Sequence, residues 1–209
     1  MEAQTVYLYV FDGMADWEPA FAIAGINNPR FQRQPGRFCV ATVASSRETI
    51  TTMGGIHIEP DLALDDLFPT SSALLILPGG DAWERGGNRD AVEKVAEFLA
   101  VGVPVAAICA ATLALARAGF LDNRLHTSNS PEYLKATRYR GHSLYRNIPA
   151  IADGNLITAS GAAPIDFAYQ IFGMLEVYSE EALNAWYALF RYGDASKFEA
   201  LADAVAQHS

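Results

Sequence analysis

The stretch that decides the fold is VPVAAICAATLALARAG, residues 103–119. It opens with a short apolar run, residues 103–108, which is typical of a strand buried on both faces. Cys109 follows at once, and the helix-forming residues 110–118 end at Gly119, a residue that favours helix C-termini. A strand that passes directly into a helix predicts an α/β protein with Cys109 at the junction.

Four more apolar runs along the chain predict strands, and helical patterns separate them. The first run, residues 5–11, has no alternating polar face, as expected for a strand covered on both sides. Because strands that alternate with helices form parallel sheets, this order predicts a doubly wound parallel sheet. The other predicted strands are 37–44, 73–78 and 155–159, and the other main helices are 17–26, 90–100 and 164–178.

Two regions lie outside this alternation. Residues 49–58, TITTMGGIHI, place β-branched residues on both sides of two glycines, which predicts a small hairpin at one edge of the sheet. Ser179 can begin a helix that runs to about Tyr192, and Ser196 another that ends near Ala206. We therefore expect a single domain over 1–209, with a core at about 5–178 and a C-terminal helical extension at 179–209.

Composition and charge narrow the class of protein. The 209 residues include 15 Lys and Arg against 24 Asp and Glu, so the net charge of -9 disfavours nucleic-acid and anionic-membrane partners. Residues 98–116 carry no charge, but Gly102 and Pro104 divide them into a helix end, a strand and a new helix, which argues against a membrane span. Two cysteines and an opening without a signal-peptide pattern predict a cytoplasmic protein with reduced thiols.

The residues that directly follow the predicted strands are the candidates for chemistry. In an open parallel sheet, ligands bind outside the carboxyl ends of the strands. Residues 12–18 follow the first strand, 79–81 the third, Cys109 the fourth, and Ser160 and Gly161 the fifth. We expect these four groups to face one crevice.

Cys109 is the candidate nucleophile because a strand-to-helix junction is the setting of a nucleophile elbow. Free amides and the positive end of the helix dipole favour a thiolate there, which predicts a pKa below the ~8.5 of a free cysteine. The alternative is a small buried side chain packed between sheet and helix. Cys39 lies within a strand pattern and is expected in the core, and a disulfide between the two cysteines is not expected in the cytosol.

Backbone amides beside Cys109 are candidates for an oxyanion hole. Gly79 and Gly80 would lie next to the sulfur if the third and fourth strands are neighbours, and the amide of Ala110 would complete the set. The alternative is a tight turn that requires glycine. The pair belongs neither to a GxGxxG motif nor to a P-loop, so the sequence gives no support for a nucleotide cofactor.

Two acids, Asp16 and Glu18, lie where the first strand passes into a helix. Asp16 is a candidate N-cap, and both acids suit the first turn of a helix electrostatically. A carboxyl held near a thiolate would stay protonated, so Glu18 is also a candidate partner that donates a hydrogen bond or a proton to Cys109.

Histidines offer weak support for a Cys/His enzyme. His126, in the segment RLHTSN, is the one serious candidate base, and a structurally satisfied histidine is the more common outcome. The spacing of Cys, His, Asp and Glu residues suggests no metal site, and no cofactor is expected.

The motifs around these residues resemble the ThiJ/PfpI superfamily of class I glutamine-amidotransferase-like proteins. The resemblance covers about residues 6–178. It rests on the acidic loop that ends in Glu18, LPGGD at 77–81, AAICAATLALARAGFLDNR at 106–124 and ITASGAAPIDFA at 157–168. It implies a flavodoxin-like fold, a reactive cysteine matched by Cys109, a protonated glutamate matched by Glu18, and a homodimer.

The sequence departs from this family in two respects, the residue two positions after the cysteine and a missing histidine. Many members carry glycine two residues after the cysteine, where this chain has Ala111. Members with a histidine place it directly after the cysteine, here Ala110, or about twenty residues on, here Asn129, and asparagine cannot titrate. His126 lies three residues before Asn129, an odd offset that points to the opposite face of an extended segment. A peptidase activity should therefore not be inherited from the family.

Three functions are compatible with the sequence. In the first, a small-molecule enzyme of the hydrolase, amidase or carbonyl-processing kind, Cys109 attacks, the amides of Gly80 and Ala110 hold the oxyanion, and Glu18 relays a proton. The second is a redox-responsive protein in which an oxidant converts Cys109 to a sulfinate. The third is a non-catalytic ligand-binding module with Trp17 and Trp83 lining an apolar pocket. Asp16, Asn129 and His126 are accessory candidates.

Overall fold

A seven-stranded sheet forms the centre of the molecule in the computed structural model, which describes residues 3–206. Its strand order is β5-β2-β1-β6-β7-β9-β8, and every pairing is parallel except that of β8 with β9. The strands of this sheet are β1 (Gln4–Tyr9), β2 (Phe38–Ala44), β5 (Leu62–Ala63), β6 (Ser72–Leu77), β7 (Val105–Ile108), β8 (Ala150–Asp153) and β9 (Leu156–Ala159). The predicted doubly wound α/β architecture is confirmed.

Helices cover both faces of the sheet. Five of them lie within one residue of the predicted bounds, a sixth ends three residues early, and two short ones of four and five residues were not predicted. The helices are α1 (Trp17–Asn27), α2 (Asp81–Glu84), α3 (Arg89–Ala100), α4 (Ala110–Arg117), α5 (Pro131–Lys135), α6 (Pro164–Leu175), α7 (Glu180–Tyr192) and α8 (Lys197–Ala206). None of the helices within residues 3–206 is long and apolar enough to cross a membrane.

The central strands carry the core because both of their faces are covered. Residues 74–77 of β6 and 105–108 of β7 are fully buried. The strands β1, β6, β7 and β9 are consecutive in the sheet and parallel, so their carboxyl ends meet along one edge. The four groups of candidate residues follow these four strands.

The glycine-containing hairpin forms as predicted, but in a different place. Its strands, β3 (Ile50–Thr51) and β4 (His57–Ile58), make a separate two-stranded sheet instead of extending an edge of the main sheet. Backbone hydrogen bonds from Gly13 to Thr51 and from Met53 to Met14 hold it against the loop after β1. The hairpin therefore packs beside the edge where the candidate site lies.

The C-terminal extension packs against α1 and α6. Ser179 begins α7 by accepting a hydrogen bond from the Ala182 amide at 3.2 Å, as predicted. The ring of Trp186 lies 4.9 Å from that of Phe172 on α6 and 6.2 Å from that of Phe21 on α1, measured between centroids. The helix α6 ends at Leu175, three residues earlier than predicted, because Glu176 adopts a left-handed conformation.

Candidate active site

Cys109 lies at a strained turn between β7 and α4. Its backbone has φ 58° and ψ -127°, a conformation that is unusual for a residue other than glycine. The Cys109 amide donates to the Ala159 carbonyl at 3.0 Å, and the Thr112 hydroxyl donates to the Cys109 carbonyl at 2.6 Å. These bonds fix the turn, so the predicted elbow is confirmed as a backbone feature.

Two glycines make room for the sulfur. A β-carbon on Gly161 would lie 2.7 Å from Sγ of Cys109, and one on Gly79 would lie 3.0 Å from it. The same β-carbon on Gly161 would lie 3.0 Å from Oε1 of Glu18, and the one on Gly79 would lie 2.8 Å from Oε2. Glycine is therefore required at both positions because the backbone approaches the cysteine and the glutamate so closely.

Glu18 is fully buried beside the sulfur, in the first turn of α1. Its Oε2 accepts the Gly79 amide at 2.5 Å, and its Oε1 has no hydrogen-bond partner among residues 3–206. Burial raises the pKa of Glu18, although the hydrogen bond from the Gly79 amide lowers it. The structure thus places Glu18 beside Cys109 with a raised proton affinity, as the sequence reasoning expected.

The thiol of Cys109 behaves differently from the sequence-based expectation. Burial, followed by the negative charge of Glu18, raises its pKa to about 11, although the hydrogen bonds from Asn129 and the Ala110 amide lower it. The expectation of a pKa below that of a free cysteine was wrong because desolvation and the neighbouring carboxylate outweigh the helix terminus. Cys109 and Glu18 form a coupled pair that holds one proton more readily than it loses both.

Asn129, which the sequence resemblance matches to a histidine of some family members, lies within hydrogen-bond distance of the sulfur. Its Nδ2 donates to Sγ of Cys109 at 3.3 Å, and its Oδ1 accepts the Gly161 amide at 2.9 Å. The second bond orients the side chain so that a donor points at the sulfur. Asn129 is exposed, so this side of the site is open to solvent.

The candidate oxyanion donors are only partly available. The Gly79 amide is already bound to Glu18, so it cannot serve as the sequence suggested. The strands β6 and β7 are neighbours, as required, and neither a backbone nor a side-chain acceptor within residues 3–206 takes the amide of Gly80. Ala110, the first residue of α4, directly follows Cys109, and its amide lowers the pKa of the thiol. Gly80 and Ala110 therefore remain the two candidate donors.

Asp16 occupies the predicted N-cap position of α1, but its side chain does not cap the helix. It has helical dihedral angles, φ -64° and ψ -39°, and its side chain makes no capping bond. Oδ2 accepts the Gly54 amide in the hairpin at 2.7 Å, and Asp12 likewise accepts the Thr51 amide at 2.7 Å. Asp16 therefore attaches the hairpin to the loop after β1 instead of acting at the sulfur.

His126 lies outside the site. It is fully buried, its Nδ1 lies 2.7 Å from the Arg124 carbonyl and its Nε2 lies 3.0 Å from the Tyr139 hydroxyl. Burial lowers its pKa, which keeps the ring neutral. With both nitrogens occupied, His126 is a structural residue and cannot act as the base for Cys109.

A hydrogen bond between the two short helices, α2 and α5, was missed. The hydroxyl of Tyr133 on α5 donates to Oε1 of Glu84 on α2 at 2.7 Å. A signal for α5 was available in the sequence, because Ser130 followed by Pro131 is a typical helix start and Ser130 does accept the Tyr133 amide. Glu84 gave no such signal, since a single acid on a four-residue helix is unremarkable in a sequence.

Trp83 and the remaining titratable residues do not add to the site. Trp83 is fully buried, donates to the Pro78 carbonyl at 2.8 Å and packs on Tyr9 and Phe11, so it does not line a pocket together with the half-exposed Trp17. Cys39 is a partly buried free thiol on β2. A cluster of His, Cys, Asp and Glu suited to a metal ion is absent from the part of the chain that the structure describes.

Fold and site together define a flavodoxin-like α/β protein with a cysteine at a strand-to-helix elbow, a buried glutamate against its sulfur, and glycine backbone on two sides. The chain belongs to the DJ-1/PfpI family, whose model matches residues 4–174. This agrees with the resemblance that the sequence motifs indicated.

Individual relatives support the same assignment. An uncharacterized protease, YoaZ, from Bacillus subtilis is 42% identical over 192 residues, covering 90% of this chain and 91% of its own. A crystal structure of a ThiJ/PfpI family protein from Bacillus anthracis superposes with a TM-score of 0.92 at 41% identity, covering 98% of each chain. Deglycase PfpI from Pyrococcus furiosus is 40% identical over 80 residues, covering 38% of this chain and 48% of its own.

Proposed function

We propose that this protein is a cysteine-dependent enzyme that acts on the carbonyl carbon of a small molecule, with Cys109 as nucleophile. The observation that carries the proposal is the buried Glu18 carboxyl, which borders Sγ and has one oxygen without a hydrogen-bond partner among residues 3–206. A carboxylate in that position can accept the thiol proton as the sulfur attacks. Glu18 would thus serve as the proton acceptor, a role that histidine has in a Cys/His enzyme.

These residues account for the proton and the charge that move in the addition step. The sulfur forms a bond to the carbonyl carbon while the thiol proton passes to Glu18, and the carbonyl oxygen gains negative charge. The amides of Gly80 and Ala110 stabilise that charge, and Glu18 then returns the proton to the oxygen. The product is a hemithioacetal, and a single proton has moved from sulfur to oxygen.

Carbonyl addition suits this site better than amide hydrolysis. Breaking an amide requires a group that protonates the leaving amine, a role that histidine fills in cysteine peptidases. Asn129 cannot titrate, and His126 is fully engaged away from the site. Partial similarity to proteins named deglycases is consistent with carbonyl chemistry. The word protease in the name of YoaZ is not transferred to this chain.

The redox-responsive alternative is less well supported. Oxidation by peroxide requires the thiolate, and the raised pKa of Cys109, about 11, leaves little of it near neutral pH. A cytoplasmic location and a homodimer are proposals that rest on the sequence analysis. The proposed partner is a small-molecule substrate.

The test is turnover of an α-oxoaldehyde such as methylglyoxal to the corresponding hydroxy acid: the carbinol proton of the hemithioacetal moves to the neighbouring carbonyl carbon, and water hydrolyses the resulting thioester and releases the Cys109 thiol. We expect activity in the wild type, a loss of at least ~1000-fold in Cys109→Ala, and retention within about twofold in the matched control Cys39→Ala. Full activity in Cys109→Ala would overturn the proposal. So would hydrolysis of amide substrates by a wild type that leaves the carbonyl compounds untouched.

A further inference from the structure

Two buried hydroxyl groups connect the cysteine elbow to a distant segment of the chain. Thr112 lies on the first turn of α4, and Ser128 lies on the segment that precedes α5; both are buried. Their side-chain oxygens are 2.6 Å apart, and the Thr112 hydroxyl also donates to the Cys109 carbonyl at 2.6 Å. The pair therefore joins the backbone of the elbow to a residue 16 positions after Thr112.

The directions of these two hydrogen bonds follow from the number of protons. A hydroxyl has one proton to donate, and that of Thr112 is directed to the Cys109 carbonyl. Ser128 must then donate to Thr112, which gives an ordered chain from Ser128 through Thr112 to the elbow. Because a buried hydroxyl without a partner is costly, each of the two groups depends on the other.

Ser128 lies between a residue that is bonded to the sheet and a residue that contacts the sulfur. Before it, the Thr127 amide donates to the Thr158 hydroxyl on β9 at 2.9 Å. After it, Nδ2 of Asn129 donates to Sγ of Cys109 at 3.3 Å. The Ser128 side chain is therefore an anchor directly beside the donor to the sulfur.

Asn129 depends on such an anchor because it is exposed. The bond from the Gly161 amide to its Oδ1, at 2.9 Å, determines which end of the side chain faces the sulfur. That bond does not fix the backbone from which the side chain extends. The preceding residue, Ser128, is buried and bonded to Thr112, so it supplies this fixed point.

We propose that Thr112 and Ser128 are positioning residues that hold the Asn129 donor against the sulfur of Cys109. The effect of the two hydroxyls on the cysteine passes through Asn129. For its part in catalysis this inference rests on the proposed function, because the two residues prepare the nucleophile of the same site. Their effect on the thiol itself needs no substrate.

Alkylation of Cys109 by iodoacetamide at pH 8 tests the inference without turnover. The sulfur displaces iodide from carbon, and the thiol proton passes to solvent. Peptide mass spectrometry follows the rate at Cys109 relative to that at Cys39, which serves as the reference within each sample. The titratable groups that interact with the charge of Cys109, Glu18 and Tyr133, are the same in every variant.

We expect Thr112→Val and Ser128→Ala each to slow Cys109 alkylation by about threefold, as expected for loss of the Asn129 donor itself. Thr112→Ser keeps the hydroxyl and should retain the wild-type rate within about 1.5-fold. Replacing both hydroxyls, in Thr112→Val with Ser128→Ala, leaves neither group unpaired. This double variant should also react about threefold more slowly, and it keeps the test available if either single variant unfolds.

The matched control is Thr137→Val. The Thr137 hydroxyl donates to the Leu134 carbonyl at 2.7 Å, three residues earlier in the chain, just as that of Thr112 donates to the Cys109 carbonyl. Thr137→Val therefore removes the same kind of bond elsewhere in the molecule. It should leave Cys109 alkylation within about 1.5-fold of the wild type.

A double-mutant cycle separates positioning of the donor from a general loosening of the elbow. In Asn129→Ala the donor is already absent, so the further substitution Thr112→Val should change the alkylation rate by less than about 1.5-fold. A loosened elbow would change the rate of Cys109 by the same factor whether Asn129 is present or absent.

Three results would overturn the inference. They are a rate that Thr112→Val leaves unchanged or raises, equal slowing in Thr137→Val, and equal slowing by Thr112→Val with and without Asn129. If the expected alkylation pattern is found but carbonyl compounds are not consumed, the proposed function fails and the inference stands. If turnover requires Cys109 but alkylation does not respond to the two hydroxyls, the inference alone fails.

Discussion

The two cysteines of this chain have the same side chain in two very different surroundings. Cys39 lies in the regular strand β2, paired with Thr5 of β1, and its sulfur is 3.7 Å from the Thr5 hydroxyl. Cys109 has a strained backbone, and its sulfur borders Glu18, Asn129 and two glycines. Because the residue type is the same, the difference in surroundings comes from the backbone turn at Cys109 and from the loops that follow the neighbouring strands.

Replacing the glutamate gives the largest expected effect on this contrast. In Glu18→Gln, turnover of a carbonyl substrate should fall by about a thousandfold, because the proton acceptor is lost. Alkylation of Cys109 by iodoacetamide at pH 8 should instead rise by about fivefold, because the charge of Glu18 no longer raises the thiol pKa. Initial rates and peptide mass spectrometry measure the two effects.

The control for this experiment is Asp16→Asn, which removes a charge two residues away in a side chain that binds the hairpin. It should leave both rates within about twofold of the wild type. Equal losses in both variants would show that the acidic loop acts as a whole and that Glu18 has no special role.

Filling the space beside the sulfur should produce the next largest effect. In Gly161→Ala, the new methyl group would lie 2.7 Å from Sγ, so alkylation of Cys109 should fall by about a hundredfold while Cys39 reacts as before. In the control Gly173→Ala, the methyl group meets only a leucine at 3.7 Å and should leave both cysteines unaffected. Normal reactivity of Cys109 in Gly161→Ala would show that the glycine contact does not control access.

Removing the amide donor at the sulfur should have a smaller effect. The hydrogen bond from Asn129 lowers the Cys109 pKa, so Asn129→Ala should slow iodoacetamide alkylation at pH 8 by about threefold. The exposed Asn123 provides a control substitution to alanine. A faster reaction in Asn129→Ala would mean that the side chain shields the sulfur more than it stabilises the thiolate.

Substituting His126 should leave the difference in reactivity between Cys109 and Cys39 almost unchanged. We expect His126→Gln to alter Cys109 alkylation by less than about twofold, while the lost buried hydrogen bonds reduce the free energy of unfolding by about 2 kcal/mol. A large loss of Cys109 reactivity in folded His126→Gln would show that His126 does contribute to the site.

The same histidine predicts a pH dependence of stability. Burial lowers the pKa of His126 in the folded state, so the unfolded chain binds more protons as the pH falls below about 6.5. The wild type should therefore lose stability below that pH, and His126→Gln should lose less. Thermal unfolding between pH 5 and 8 measures the difference.

The fold and the outline of the site were predictable because they depend on local patterns. The buried strand before Cys109 and the helix former after it specify the elbow, and the rule for strand ends locates Glu18, Gly80 and Gly161 at one edge. Ser179 likewise begins α7 as its residue type predicts. These features need only neighbours in the sequence and the general order of a parallel sheet.

The remaining features depend on contacts between distant residues. Asp16 bonds to Gly54 in the hairpin, and the Gly79 amide is taken by Glu18, so neither fills the role that its local setting suggests. The thiol pKa depends on how deeply Cys109 is buried against Glu18, which is a matter of packing. The strand β8 was missed because Ala150–Asp153 is short and mixed in polarity.

The site is assembled from segments that are far apart along the chain. The carboxyl of Glu18 meets the amide of Gly79, 61 residues later, and Gly161 closes the site from the last parallel strand. Such contacts form only after the long loops between them have closed, which is the slow part of folding for sheets with non-local pairing. A chain that is still folding therefore carries Cys109 as an ordinary thiol. The surroundings of this cysteine are therefore complete only in the fully folded state.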